Sequence, residues 1–118
     1  MKVLITGANG QLGTELRRCF ARGCTELGPL PEKLRHASVV ETDVGVPGHA
    51  PDVIFSCAAY TNVDGCDANP DDAFRVNALG ARNLAMAAEE VGAKLVHIST
   101  DYVFCGAGSA PLSECETP

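Results

Sequence analysis

Residues 95–106 read LVHISTDYVFCG. An apolar run gives way to Ser99, Thr100, Asp101 and Tyr102: two hydroxyls, a carboxylate and a phenol in succession. Such groups at the carboxyl end of a buried strand can hydrogen-bond a ligand. A polar strand end rich in hydroxyls would look the same in isolation. A second stretch narrows the choice. Gly7-Ala8-Asn9-Gly10-Gln11-Leu12-Gly13 lies between the apolar run KVLIT (2–6) and a helical pattern. A glycine at a helix entrance lets a phosphate approach the unpaired backbone N–H groups and the positive end of the helix dipole. A last glycine lets the helix pack closely on a sheet. The spacing is GxxGxxG rather than GxGxxG, and its place directly after the first strand points to nucleotide binding.

The elements that must position these residues are legible from their periodicity. KVLIT has the continuous apolar character of a buried parallel strand. Leu12, Leu16, Cys19 and Phe20 then recur on one face of a helix of about three turns. DVIFSC (52–57) is a further buried strand, and AKLVHIS (93–99) another. Between them, Asn69-Pro70-Asp71-Asp72 predicts a helix start, with Asn as cap, Pro in the first turn and two acids at the positive dipole end. That helix continues through Ala81, Leu84, Ala85, Ala88 and Val91 to Gly92 at C′. Residues 24–36 hold only a weak strand, SVVETDV (38–44) is a better one, and 106–118 is a loop-like tail. Strand–helix alternation of this kind gives an α/β fold, a Rossmann-like parallel sheet flanked by helices. A single domain over 1–118 is expected.

Composition excludes other classes. The net charge is −6 with nine scattered Lys and Arg, which argues against nucleic acid. No apolar run nears the roughly 18 residues of a membrane span. The N-terminal run is too short for a signal peptide, so a cytoplasmic location is expected. The six cysteines and three histidines show neither CxxC nor zinc spacing, so no metal site is predicted and reduced thiols are expected. His97, inside a strand pattern, reads as a packed or hydrogen-bonded residue.

The segments TGANGQLG, CAAYTNVD, VNALGARNLA and HISTDYVFCG together resemble the extended short-chain dehydrogenases/reductases, and most closely the dTDP-4-dehydrorhamnose reductases among them. The likeness spans the chain apart from residues 24–50. It implies a cofactor, NADPH or NADH, and a dTDP-sugar substrate, and it allows Mg2+ and a homodimer. Gly7, Asn9, Gly10, Gln11, Leu12 and Gly13 would hold the pyrophosphate turn. Asp43 and Val44 match an acid–apolar pair at the adenine. Cys57, Ala58, Ala59, Tyr60, Thr61 and Ser99 would line the cofactor. Asn77 matches an asparagine that braces this strand end from the long helix. Thr100 matches the catalytic hydroxyl, and Asp101 and Tyr102 would adjoin the sugar.

Two departures accompany the likeness. The family's proton donor is the tyrosine of a YxxxK pair, whose lysine lowers the tyrosine pKa. The resemblance places that pair, and most of the substrate lobe, beyond the equivalent of Pro118. The second departure lies in residues 45–51, which leave no room for a crossover helix. In the family's sheet order they would cross past two neighbouring strands, at about 4.8 Å per step, as an almost taut chain. If SVVETDV is itself the second strand, beside the first, the crossing shortens by one step and Asp43 approaches the adenosine ribose. That arrangement is the expected one. A non-catalytic nucleotide-binding module, like the regulatory subunit of methionine adenosyltransferase, and a sugar-nucleotide epimerase fragment are the competing expectations.

Overall fold

The computed structural model describes residues 1–26, 28–42, 48–106, 108 and 110–113. Strand β1 (Lys2–Thr6) leads through the glycine turn into helix α1 (Gln11–Arg22), which Gly23 ends in the left-handed conformation. A short antiparallel ladder of β2 (Cys24–Thr25) and β3 (Gly28–Pro29) follows, then a single helical turn, α2 (Glu32–Arg35). Strand β4 (Ser38–Thr42) and strand β5 (Val53–Ser56) come next. Helix α3 (Val63–Ala68) precedes a long helical segment: α4 (Pro70–Phe74), a π-helical turn (Arg75–Leu79) and α5 (Gly80–Val91). Strand β6 (Lys94–His97) and a 3₁₀ turn (Asp101–Val103) complete the described elements.

Among the described residues the main sheet has four parallel strands in the order β4-β1-β5-β6. Ser38–Thr42 therefore lies directly beside β1, as the shorter crossing requires. Alternation divides the strand residues between two faces. Val3 and Ile5 pack with Ala8 against Leu16 and Phe20 of α1, and Phe55 meets Phe20 edge to face at 6.1 Å. Leu4 and Ile54 pack with Ala88 of α5, joined by Val40, Leu84 and Leu95. Val3, Leu4, Ile5 and Ile54 are fully buried. The fully buried side chains thus lie on β1 and β5, the centre of hydrophobic stabilisation.

The start of the long helix differs from expectation in one respect. Pro70 and the acids Asp71 and Asp72 occupy the first turn as predicted, but the Asn69 side chain makes no cap bond there. Its Nδ2 donates instead to Gly65 O at 3.2 Å. Helix α3, which the sequence did not announce, ends at Ala68, and its late carbonyls need donors; Asn69 serves that helix rather than its own. Asp43, Val44 and the link 45–47, like Cys115 and most of the tail, lie outside the described residues.

Candidate functional site

The carboxyl ends of β1, β5 and β6 stand side by side, where ligands bind in open parallel sheets. The glycine turn closes by Gly10 N–H donating to Gly7 O at 3.0 Å. Gly7 has φ +65°, the left-handed region, and a Cβ there would sit 2.5 Å from Ala58 N. Only a glycine lets the turn rest on the backbone that leaves β5. A Cβ on Gly13 would fall 2.2 Å from Gly7 O. A Cβ on Gly10 would come within 4 Å only of Gly7 O, at 3.3 Å. Gly7 and Gly13 thus serve packing, while Gly10 keeps the helix entrance bare. Gly10 is the N-cap of α1 and has no side chain to cap it. Thr14 N–H already donates to Gly10 O, so the N–H groups of Gln11, Leu12 and Gly13 are the ones a helix start leaves for a ligand. Gln11 and Leu12 are exposed beside Asn9.

The segment after β5 is clamped from the long helix. Asn77 Oδ1 accepts from Tyr60 N–H at 2.8 Å, and Asn77 Nδ2 donates to Tyr60 O at 2.9 Å. One side chain thereby satisfies both backbone groups of a residue outside any strand. Asn77 sits in the π-helical turn, a form often met at functional sites. Asn62 Oδ1 accepts from Gly65 N–H at 3.0 Å and caps α3. Cys66 Sγ lies 3.5 Å from Tyr60 O. Cys57 N–H donates to Thr6 O at 3.2 Å, and burial pushes the Cys57 thiol up from its ordinary value. Ala58 is half-buried and Ala59 and Thr61 are exposed, at the lip of the crevice.

Beyond β6, Thr100 caps the 3₁₀ turn: its Oγ1 accepts from Tyr102 N–H at 3.3 Å and donates to Asp101 Oδ1 at 3.3 Å. Ser99, Thr100 and Asp101 are exposed, and Tyr102 is 84% exposed. His97 Nδ1 meets Ser56 Oγ at 3.1 Å across neighbouring strands, the hydrogen-bonded role expected of it. The structure thus brings Gly7–Gly13 against Cys57 and Ala58 and ties Tyr60 to Asn77. Ser99–Tyr102 follow the adjacent strand without a hydrogen bond to either group among those described. Sequence reasoning missed Asn62 and Cys66; an Asn one residue before a short acidic helix was the available signal for the first.

A family model described as the RmlD substrate binding domain matches residues 1–118. The chain belongs to that family. The spore coat polysaccharide biosynthesis protein SpsK of Bacillus subtilis is 41% identical over 114 residues, which cover 96% of this chain and 40% of SpsK. The dTDP-4-dehydrorhamnose reductase of Mycobacterium tuberculosis is 42% identical over 89% of this chain and 34% of its own length. Among solved structures, dTDP-4-dehydrorhamnose reductase from Bacillus anthracis in complex with NADP matches with TM-score 0.82 and 38% identity, over 99% of this chain and 42% of that one. This RmlD-family chain therefore spans about two fifths or less of the length of these curated relatives. The parallel sheet flanked by helices is the fold the Bacillus anthracis structure shares with it. Among the described residues no helix is long and apolar enough to cross a membrane.

Proposed function

We propose that the chain is the dinucleotide-binding part, a single domain over 1–118, of a cytoplasmic NADPH- or NADH-dependent reductase. Its substrate is a dTDP-4-keto-6-deoxy sugar on the way to dTDP-L-rhamnose. The observation that carries this is the bare helix entrance at Gly10, set against a strand end whose backbone is clamped by Asn77. The NADP complex of the Bacillus anthracis relative supports it. Gln11, Leu12 and Gly13 offer N–H groups to the pyrophosphate, with Asn9 alongside. By the family resemblance, Cys57, Ala58, Ala59, Tyr60, Thr61 and Ser99 would line the middle of the cofactor, and Asp43 and Val44 would contact the adenine. The bound dinucleotide supplies the hydride. Thr100 Oγ1, already an acceptor from Tyr102 N–H, turns its proton from Asp101 to the substrate carbonyl oxygen as charge develops there. Asp101 and Tyr102 adjoin the sugar. Among the described residues no group of three or more His, Cys, Asp or Glu could hold a metal ion.

These 118 residues alone bind without turning over. At the lysine position of YxxxK, Tyr60 is followed by Asp64 and Tyr102 by Gly106. A positioned proton donor contributes about 10²- to 10⁴-fold, and orientation by a substrate lobe can contribute about 7 kcal/mol or more. Calorimetric titration of NADH and NADPH against the chain and against Gly10→Val tests the binding, since the valine fills the phosphate approach. Equal affinity in the variant would remove the site. NADPH oxidation with the keto sugar should stay at background; turnover abolished by Thr100→Val would show that another of these residues is the acid.

A further inference from the structure

Strand β4 pairs with β1 on the side away from β5. In dinucleotide-binding sheets the chain returns beside the first strand near the adenosine ribose, where an acid takes the 2′-hydroxyl or an arginine takes a 2′-phosphate. Both residue types stand here. Glu41 is the last residue but one of β4 and lies opposite Ile5, close below the glycine turn that follows Thr6. Alternation turns it to the same face as Val39, which packs on the Val3 and Ile5 cluster beside α1. There its Oε1 accepts from Arg17 Nε at 2.6 Å. Neither side chain is buried: 38% of Arg17 and 45% of Glu41 are exposed. With Thr14, Arg18 and Ala21 the pair lines a groove of about 290 Å³. Thr14 is the fourth residue of α1, so the groove reaches the first turn of that helix. Helical side chains lean toward the N-terminus of their helix, which carries the Arg17 guanidinium toward the entrance at Gly10.

We propose that Arg17 reads the 2′-phosphate of NADPH, and that Glu41 is the partner it releases to do so. The inference rests on the dinucleotide reading above and names the residue that tells NADPH from NADH at that site. A guanidinium is planar and matches a phosphate with two parallel N–H···O bonds. The bond to Glu41 engages Nε, and a guanidinium has five N–H donors, so most of the fork remains for a second anion. An ion pair this exposed contributes little, whereas a phosphate monoester brings close to two negative charges. The exchange therefore favours the phosphate. Before the ligand arrives, Glu41 keeps the guanidinium in the groove. Afterwards its carboxylate is a competitor for Arg17 and a like charge beside the phosphate. NADH carries no 2′-phosphate and leaves the pair intact, so Arg17 acts on one cofactor alone. Arg18 lines the same groove but is paired with Glu15 on its own helix. It carries the same charge without a partner on β4.

Calorimetric titration of NADPH and NADH against the chain and three variants tests the assignment, with circular dichroism reporting the fold. Arg17→Gln should weaken NADPH about tenfold, as expected of a charge-assisted bond at a part-exposed site, and change NADH less than about twofold. Glu41→Gln removes the competitor and should strengthen NADPH about two- to fivefold, again with NADH unmoved. Arg18→Gln removes one positive charge from the same groove and should keep the ratio of the two affinities within about twofold of the parent, because a charge without a direct contact is screened. A folded Arg17→Gln that keeps the parent's ratio of NADPH to NADH affinity overturns the proposal. An equal change of that ratio in Arg18→Gln does so too, since it would reveal a general field and no dedicated reader. Weaker NADPH binding in Glu41→Gln has the same force. These three results leave the dinucleotide site standing, because both cofactors still bind. A parent that binds neither cofactor overturns this proposal and the function together.

Discussion

Replacing Gly13 by alanine isolates the role of close approach in the glycine turn. Alanine is the better helix former by about 1 kcal/mol, so propensity alone predicts a gain. The geometry opposes it. The added Cβ would stand 2.2 Å from Gly7 O and 2.8 Å from Ala8 Cα, both backbone atoms of a turn that rests in its own right on Ala58. Restoring a contact of about 3.4 Å requires α1 to retreat by about 1 Å, and a gap of that size forfeits a quarter to a half of each dispersion well along the interface. Leu16 and Phe20, which pack on the Val3, Ile5 and Ala8 cluster, would lose most. Overpacking typically costs about 1–3 kcal/mol, and the retreat adds to it, so a net loss of about 2 kcal/mol is expected. For a domain of this size that lowers Tm by about 8 °C. Gly10→Ala, whose Cβ would meet only Gly7 O at 3.3 Å, should cost a few tenths to about 1 kcal/mol through the poorer N-cap. Thermal unfolding of the two variants side by side is the assay. A Tm for Gly13→Ala equal to or above the parent would refute the packing argument, and with it the division of roles among the glycines.

Asn77→Ala removes both bonds to the Tyr60 backbone and should cost about 1–2 kcal/mol; amide exchange at Tyr60 should accelerate, and Asn77→Asp, which keeps only the acceptor, should restore part of the protection. Because burial raises the Cys57 thiol, the folded chain holds that proton more tightly than the unfolded one. Stability from this group is present below the ordinary thiol value of 9.0 and falls as pH rises through the higher folded value; urea midpoints of Cys57→Ser and the parent should diverge in pH dependence over that window. Five described cysteines are free, with Cys24 and Cys105 exposed, so alkylation without reductant, followed by mass spectrometry, should label these two first and reach all six under denaturant. A stable pair would contradict the expectation of reduced thiols.

The strands and the two main helices were legible because their apolar residues recur at the right period: Leu16 and Phe20 did face one side of the sheet, and Leu84 and Ala88 the other. Chain length favoured the position of β4 beside β1, since residues 45–51 could make the longer crossing only as an almost taut chain. Helix α3 was not, because VDGCDA carries no apolar stripe and depends on a single Asn62 cap. The π-helical turn was invisible too, as it accompanies a bond between Asn77 and a residue 17 positions earlier. Within the site, residue types marked Ser99–Tyr102 together and the resemblance singled out Thr100, but only the structure shows the Thr100 Oγ1 capping a turn, an arrangement that orients the hydroxyl without a ligand.

The strand order also sets a schedule for synthesis. β1 leaves the ribosome ahead of both its partners, Ser38–Thr42 and Val53–Ser56. At about 5–20 residues per second, Val3 waits roughly 2 to 10 s for Val53. During that interval Val3, Leu4 and Ile5, which end fully buried, have only α1 to cover them. Local contacts form quickly, but pairings so distant in sequence carry the loop-closure cost first. The glycine turn is thus made early and acquires its shape late, when the backbone after β5 arrives to meet Gly7. Until then the nascent chain presents an apolar strand with two open edges, and shielding that segment is a task for whatever meets the emerging polypeptide.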